Sequence, residues 1–341
     1  MAARDPIADL RRIAFLLERA HEKTYRIRAF RGAAAALGKL TDDELATRAE
    51  AGSLTQLAGV GDVTARCVAE SLAGEVPVYL RRLEDTAGRD LDEDTAALLA
   101  TLRGDCHTHS DWSDGGSPIE EMALAAIELG HDYMVLTDHS PRLTVAHGLD
   151  ADRLREQLDV VAKLNEQLTP FRILTGIEVD ILADGTLDQT DELLSRLDVV
   201  VASVHSGLRD DSPTMTRRMV TALQNPHLDI LGHCTGRLLA GKIRKESDFD
   251  ATAVFQTAAT HDKAIEINSR PERLDPPKRL LRQAFEAGCR FSLDTDAHAP
   301  GQLDWLPNGG ARAVACGIPP DRIVNTMTAD DLLSWTATHN R

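Results

Sequence analysis

The rhythm of apolar and polar positions changes near residue 104. Before it, Ile7, Leu10, Ala14 and Leu17 recur at helical spacing with Arg11, Arg12, Glu18 and Arg19 between them, which predicts an amphipathic helix. A second helix is expected over Tyr25–Leu40. Two short helices joined by the turn Gly59-Val60-Gly61 are expected across 54–72. Beyond residue 104, short apolar runs alternate with amphipathic segments, the pattern of a parallel sheet or barrel. Strands are expected at Tyr133–Thr137, Arg172–Ile181, Asp198–Val204, Leu228–Gly232, Ala264–Asn268 and Arg290–Leu293. The clearest helix is Pro118–Leu129, with Ser117 as N-cap, Glu120 completing a capping box and Gly130 at its C-terminal stop. These patterns divide the chain into an all-α segment, 1–85, a connection, 86–102, and an α/β domain, 103–341.

Composition narrows the class. The 341 residues are 43% hydrophobic but only 4% aromatic, so small aliphatic side chains must fill the core. No apolar run reaches membrane-spanning length and the first ten residues lack a signal core. Five cysteines, an odd number with no Cys-x-x-Cys pair, fit a reducing compartment. A cytoplasmic, soluble protein is expected. The net charge of −16 lies wholly beyond residue 85. Residues 1–85 hold 13 basic and 13 acidic residues, the remainder 25 against 41. So acidic a body disfavours a broad non-specific nucleic-acid surface there.

Candidate chemistry sits where the apolar runs end. His107-x-His109, Asp114, His139, Glu178, His205, His233 and Asp296-x-His298 each follow or close such a run. Residues two apart on a strand share a face, so each His-x-His or Asp-x-His pair can hold one ion. Barrels of alternating strands and helices place their active sites at these strand ends. Imidazole and carboxylate suit zinc, manganese or iron, and nine ligands exceed the needs of one ion. The other histidines, His21, His131, His147, His227, His261 and His339, lack this placement and read as structural. Cys106 should point away from the ligands by strand alternation.

The segments HTHSDWSDGG (107–116), LTDHS (136–140), GIEVDILADGTLD (176–188), SVHSGL (203–208), GHCTGR (232–237) and DTDAH (294–298) resemble the motifs of the PHP (polymerase and histidinol phosphatase) domain. EINSRPERLD (266–275) and VNTM (324–327) extend the likeness, which is closest to the C-terminal domain of bacterial family-X DNA polymerases. The resemblance implies a distorted (β/α)7 barrel holding three divalent metal ions (manganese, zinc or iron). It puts His107, His109, Glu178 and Asp296 on one ion. Glu178 would bridge to a second held by His205 and His233, and Asp114, His139 and His298 would hold the third. Clustered cations lower the pKa of a bridging water and clamp phosphoryl oxygens, so no protein nucleophile is expected. Arg237 and Arg273 are expected to meet the substrate phosphate, with Arg270 a further basic residue nearby.

Residues 1–83, with YRIRAFRGAAAAL (25–37) and LAGVGDVTARCVAESL (57–72), resemble the helix-hairpin-helix domain of the same polymerases. Gly59, Val60 and Gly61 would offer backbone N–H groups to a DNA phosphate, with Arg26, Arg28 and Arg31 as a basic stripe. Asp62–Leu72 contains no lysine, so Schiff-base lyase chemistry is not expected. About twenty residues separate this segment, ending at residue 83, from His107, too few for a polymerase palm. Three functions remain open: a metal-dependent phosphoesterase processing DNA 3′ ends as a 3′–5′ exonuclease, a small-molecule phosphomonoesterase like the histidinol-phosphate branch, and a non-catalytic DNA-binding or scaffold protein.

Overall fold

The computed structural model describes residues 4–339 and divides into two compact units, residues 1–90 and 91–341. The first is all helical: α1 (Pro6–Arg19), α2 (Thr24–Leu37), α3 (Asp42–Glu50), α4 (Asp62–Leu72) and α5 (Val78–Asp85). The spacing along α1 puts Leu10, Ile13, Ala14 and Leu17 on one fully buried face, packed with Phe30, Ala33, Ala34 and Leu37 of α2. Asp5 caps α1 by accepting from the N–H groups of Ile7 and Ala8, and Pro6 occupies its first turn, where a missing N–H is harmless. A capping box between Thr41 and Glu44 starts α3. Helix α2 stops at Leu37, three residues before the expected end, where Gly38 forms its C-cap.

The second unit opens with α6 (Glu93–Leu99), which packs on the later α13 and occupies part of the stretch expected as a connection. Strands β1 (Gly104–Thr108), β2 (Tyr133–Leu136), β3 (Arg172–Asp180), β4 (Val199–Ser203), β5 (Ile230–Leu231), β6 (Ala264–Asn268) and β7 (Arg290–Asp294) pair in sequence order, all parallel. Between them run α7 (Ile119–Glu128), α8 (Ala151–Leu168), α9 (Asp191–Leu194), α10 (Ser212–Leu223), α11 (Ala251–Thr260) and α12 (Lys278–Glu286). Helices α13 (Leu306–Ala315) and α14 (Ala329–Ala337) follow β7. Seven parallel strands with helices make a nearly closed barrel, as expected from the pattern. Among the described residues no helix is long and apolar enough to cross a membrane.

Alternation along the strands sorts the core into two layers. Ile177, Val179, Val200, Ala202, Ile265 and Ile267 pack with the surrounding helices. Leu174, Val199, Val201 and Ala264 face the other way, clustered with Leu332 and Trp335 of α14. Cys106 belongs to this second cluster and is fully buried, away from the ligands as expected. The seam between β7 and β1 carries little ladder. Asn325 bridges it, donating to Gly104 O (3.1 Å), Leu293 O (3.0 Å) and Asp294 Oδ1 (2.9 Å) while accepting from Leu293 N (2.6 Å). One side-chain amide thereby replaces the backbone partners that a closed ladder would supply.

Two expectations need correction here. Helix α7 begins at Ile119 with Pro118 as N-cap and no side-chain cap, so Ser117 and Glu120 form no capping box. Pro118 holds an extended ψ of 157°, which pushes the helix start one residue later. Its C-terminal stop forms as expected: Gly130 takes φ +85° and His131 N–H reaches Ala126 O, a left-handed cap. Strand β1 is absent from the apolar runs because Asp105 and His107 interrupt it, although the His-x-His spacing presupposes a strand there.

Candidate metal centre

All nine expected ligands meet in one connected cluster. Glu178, at the C-terminal end of β3, lies at its centre and is 1% exposed. Its Oε2 lies 3.3 Å from His107 Nε2, 3.6 Å from His109 Nε2 and 2.9 Å from His139 Nδ1. Its Oε1 lies 3.3 Å from His205 Nε2 and 2.9 Å from His233 Nε2. Asp296 Oδ1 is 3.4 Å from His109 Nε2. Asp114 Oδ1 is 3.4 Å from His139 Nε2 and 3.3 Å from His298 Nε2.

These atoms fit cations better than one another. His107 Nε2, both ring nitrogens of His109, His205 Nε2 and both oxygens of Glu178 are buried without a hydrogen-bond partner. Orphaned buried polar atoms of this kind are destabilising unless something satisfies them. Ligand atoms about 2.0–2.1 Å from a tetrahedral ion sit roughly 3.3 Å apart, close to the separations observed. Three overlapping groups bring their ligand atoms within 4.8 Å of one another: His107, His109 and Glu178; His139, Glu178 and His205; and His109, Asp114, His139 and His298. The six histidines read as structural join none of them.

On His107 and His205 the ring nitrogen facing away from the cluster is held by a further carboxylate. His107 Nδ1 is 2.6 Å from Glu266 Oε1, and His205 Nδ1 is 3.2 Å from Asp180 Oδ1. Such contacts fix the tautomer and aim Nε2 inward. Glu266 also accepts from His233 N–H, and Asn268 Nδ2 donates to Asp296 Oδ2 at 3.3 Å. The apolar pattern hides these supporting residues. Period-two alternation would have found them, since Asp180 is two residues beyond Glu178, and Glu266 and Asn268 are two apart on β6.

Electrostatics follows from burial and crowding. Burial alone would raise the Glu178 carboxyl, but His107, His139 and His205 hold it well below the usual range. Burial and the neighbouring His298 and His139 drive His109 well below its usual value. Burial, aided by Arg273, lowers His233 to about 4. His107 and His205 go the other way: burial opposes their charge, yet the adjacent carboxylates raise both, His205 to about 9.

The arginines sort differently from expectation. Arg237 does not meet the cluster; its guanidinium donates to the carbonyls of Arg273 (3.0 Å) and Leu274, with Glu246 3.7 Å away. Carbonyls left by the tight 270–275 turn take its donors. Arg273 Nε pairs with Asp296 Oδ2 at 3.1 Å, and Arg270 NH1 lies 3.3 Å from His298 Nδ1 and 3.7 Å from Asp296 Oδ1. Arg270, rather than Arg237, therefore stands at the site beside Arg273.

The match to family models places a PHP domain at residues 105–270 and a helix-hairpin-helix domain at 1–76. The barrel is a PHP domain. The DNA polymerase/3′-5′ exonuclease PolX of Bacillus subtilis (strain 168) is 40% identical over 234 residues. That stretch covers 69% of this chain, but the chain spans only 41% of the Bacillus protein. A probable phosphatase of Thermoanaerobacter sp. (strain X514) is 29% identical over 234 residues, 65% of this chain and 89% of that one. A solved histidinol phosphate phosphatase from Lactococcus lactis subsp. lactis Il1403 aligns over 64% of this chain and 95% of its own at 20% identity and TM-score 0.48.

In the helix-hairpin-helix unit the turn departs from the simple expectation. Gly59 takes φ +91°, but Gly61 N–H is already paired with Thr64 Oγ1 at 3.0 Å. Helix α4 starts at Asp62 with no side-chain cap, so first-turn amides rather than Gly61 N–H are the donors left there. The basic stripe is partly neutralised: Arg31 pairs with Glu18 at 2.8 Å and Arg26 with Glu22 at 2.7 Å. Cys67 is buried and Val63 half exposed where a lysine would be needed.

Proposed function

We propose that this protein is a metal-dependent phosphoesterase acting on DNA 3′ ends as a 3′–5′ exonuclease. The observation that carries the chemistry is Glu178, a buried carboxylate whose two oxygens, among the described residues, are ringed by five histidines. His107, His109, Glu178 and Asp296 would hold one divalent ion. Glu178, His205 and His233 would hold a second, and Asp114, His139 and His298 a third. When bound, such ions activate water near neutral pH and neutralise charge on the phosphoryl oxygens. The chain's own residues supply the frame for this. Glu266 and Asp180 orient His107 and His205, Arg273 and Asn268 fix Asp296, and Arg270 sits at the open side near His298 to meet a phosphate oxygen.

DNA as substrate is supported by the helix-hairpin-helix match and by the Bacillus relative, whose name includes 3′-5′ exonuclease. A small-molecule phosphomonoesterase is the second reading, favoured by the likeness to the probable phosphatase, 89% of whose length is covered by a match to 65% of this chain. The deciding experiment incubates metal-loaded protein with 3′-labelled oligonucleotides beside a panel of phosphorylated metabolites, with metal content measured by elemental analysis. Nucleotide release from the 3′ end supports the first reading, and turnover of metabolites alone supports the second. A protein that stays metal-free after incubation with manganese or zinc sinks both, and leaves the scaffold reading.

A further inference from the structure

The βα loop after His233 carries a feature that the metal chemistry does not use. Leu238 and Arg244 pair as an antiparallel bridge through N–H to O contacts of 2.9 and 3.0 Å. Gly241 turns the tip at φ +67°. The result is a short hairpin, anchored by Leu239 N–H on Glu272 O (2.6 Å). Its tip exposes Ile243 to 76% and Leu239 to 49%. The hairpin walls a cleft of about 1050 Å³ that begins at the ligand His205 and passes Leu208, Arg209, Lys242 and Lys245. That volume is at the upper limit for a small-molecule pocket, roughly 300–1000 Å³.

The charges in the cleft are unequal in a telling way. Of its acids, Glu246 is engaged by Arg237 and Arg279, and Asp210 lies 3.9 Å from Arg218. Among the described residues, Arg209, Lys242 and Lys245 form no ion pair or hydrogen bond through their side chains, and only Asp248 is an unpaired carboxylate facing them. Three available cations and an apolar tip thus line one path to the cluster, on a domain whose overall charge is strongly negative. A single phosphate held at the metal cluster needs none of them. A chain of phosphates with bases between them needs both kinds of contact, cations along the backbone and an apolar surface under a base.

We propose that this cleft is the track for a single DNA strand, with Arg209, Lys242 and Lys245 contacting successive phosphates and Ile243 packing against a base. The track deepens the phosphoesterase reading and rests on it for the fate of the strand, though not for binding. The test is fluorescence anisotropy of the full chain, loaded with manganese, with a labelled single-stranded phosphorothioate hexanucleotide across a salt series. Lys242→Ala/Lys245→Ala should weaken binding about tenfold and flatten the slope of log K against log salt by about 1.4, two single-strand phosphate contacts at ~0.7 each. Ile243→Ser should weaken binding several-fold with the slope unchanged. Arg155→Ala/Lys163→Ala on α8 removes the same charge elsewhere and should alter neither. An unchanged slope in the first variant, an equal effect in the α8 variant, or no binding by the wild type overturns the track. Failure of the wild type to hydrolyse any ester sinks the phosphoesterase reading separately, because the binding arm uses an uncleaved strand.

Discussion

Glu178→Gln is the sharpest perturbation of the cluster. The change is isosteric, and the backbone N–H of Glu178, bonded to Thr137 O and Asp138 O, is untouched, so the β2–β3 region should keep its fold. What disappears is one buried negative charge within 3.6 Å of five imidazoles. Losing a carboxylate shared between two ions should cost more than the roughly 10–100-fold typical of removing a group that only supports a ligand, so the expected loss of hydrolysis is on the order of 10²-fold or more. Asp114→Asn makes the contrast. That side chain is 36% exposed and, among the described residues, its ion pairs are with His139 and His298, so water can replace part of it and the loss should be about tenfold. The assay is turnover of a small chromogenic phosphodiester by each variant, with metal per chain from elemental analysis and folding from circular dichroism. Glu178→Gln with activity and metal content near wild type, or a larger loss in folded Asp114→Asn, would refute the idea that one carboxylate is shared between ions.

Glu266→Gln should lower activity or metal affinity by about 10–100-fold, because it supports His107 without contacting an ion; titration with manganese followed by turnover checks this. A protein comprising residues 91–341 should fold, bind metal and hydrolyse small esters, since it contains every ligand; a folded, metal-loaded but inactive fragment would show that the first unit takes part in catalysis. Gly61→Val should weaken DNA binding in a low-salt gel shift without unfolding the first unit, because a Cβ at Gly61 meets nothing within 4 Å and its φ of −100° suits a β-branched residue; unchanged binding would remove this turn from the DNA interface. Burial lowers His131 to about 4, against ~6.5 when unfolded. In that window the unfolded chain binds the extra proton, so stability falls as pH drops from 6.5 toward 4, by at most about 1.4 kcal/mol per unit. Urea midpoints of wild type and His131→Gln should therefore diverge with pH across this window, the variant being less sensitive.

Much of this was legible because strands and ligands obey simple periodicities. Six of the seven strands stand out as apolar runs, since a parallel barrel buries both faces of its strands. The candidate ligands stand out because most of them break such a run at its end. Strand β1 escapes the first signal by carrying the second: Asp105 and His107 are polar because they face the cluster and its supports. The misplaced start of α7 and the shortened α2 are boundary effects of one to three residues, decided by local backbone angles at Pro118 and Gly38.

The arginines show a different limit. Sequence distance from a ligand says which residues can reach a site, not which donors are already spoken for. Arg237 is four residues beyond His233, yet the turn at 270–275 leaves carbonyls of Arg273 and Leu274 that need donors, and a planar five-donor guanidinium satisfies them best. Those carbonyls come from a segment more than thirty residues away, so nothing near Arg237 in the chain announces them. The same accounting, run in reverse, brings Lys242 and Lys245 forward. They lie in a loop with no ligand motif, and their significance comes from neighbouring acids being paired with other arginines. Once Glu246 and Asp210 are assigned to their partners, the residual charge beside the cluster is positive on a negative domain, and a polyanion is the ligand that such an imbalance attracts.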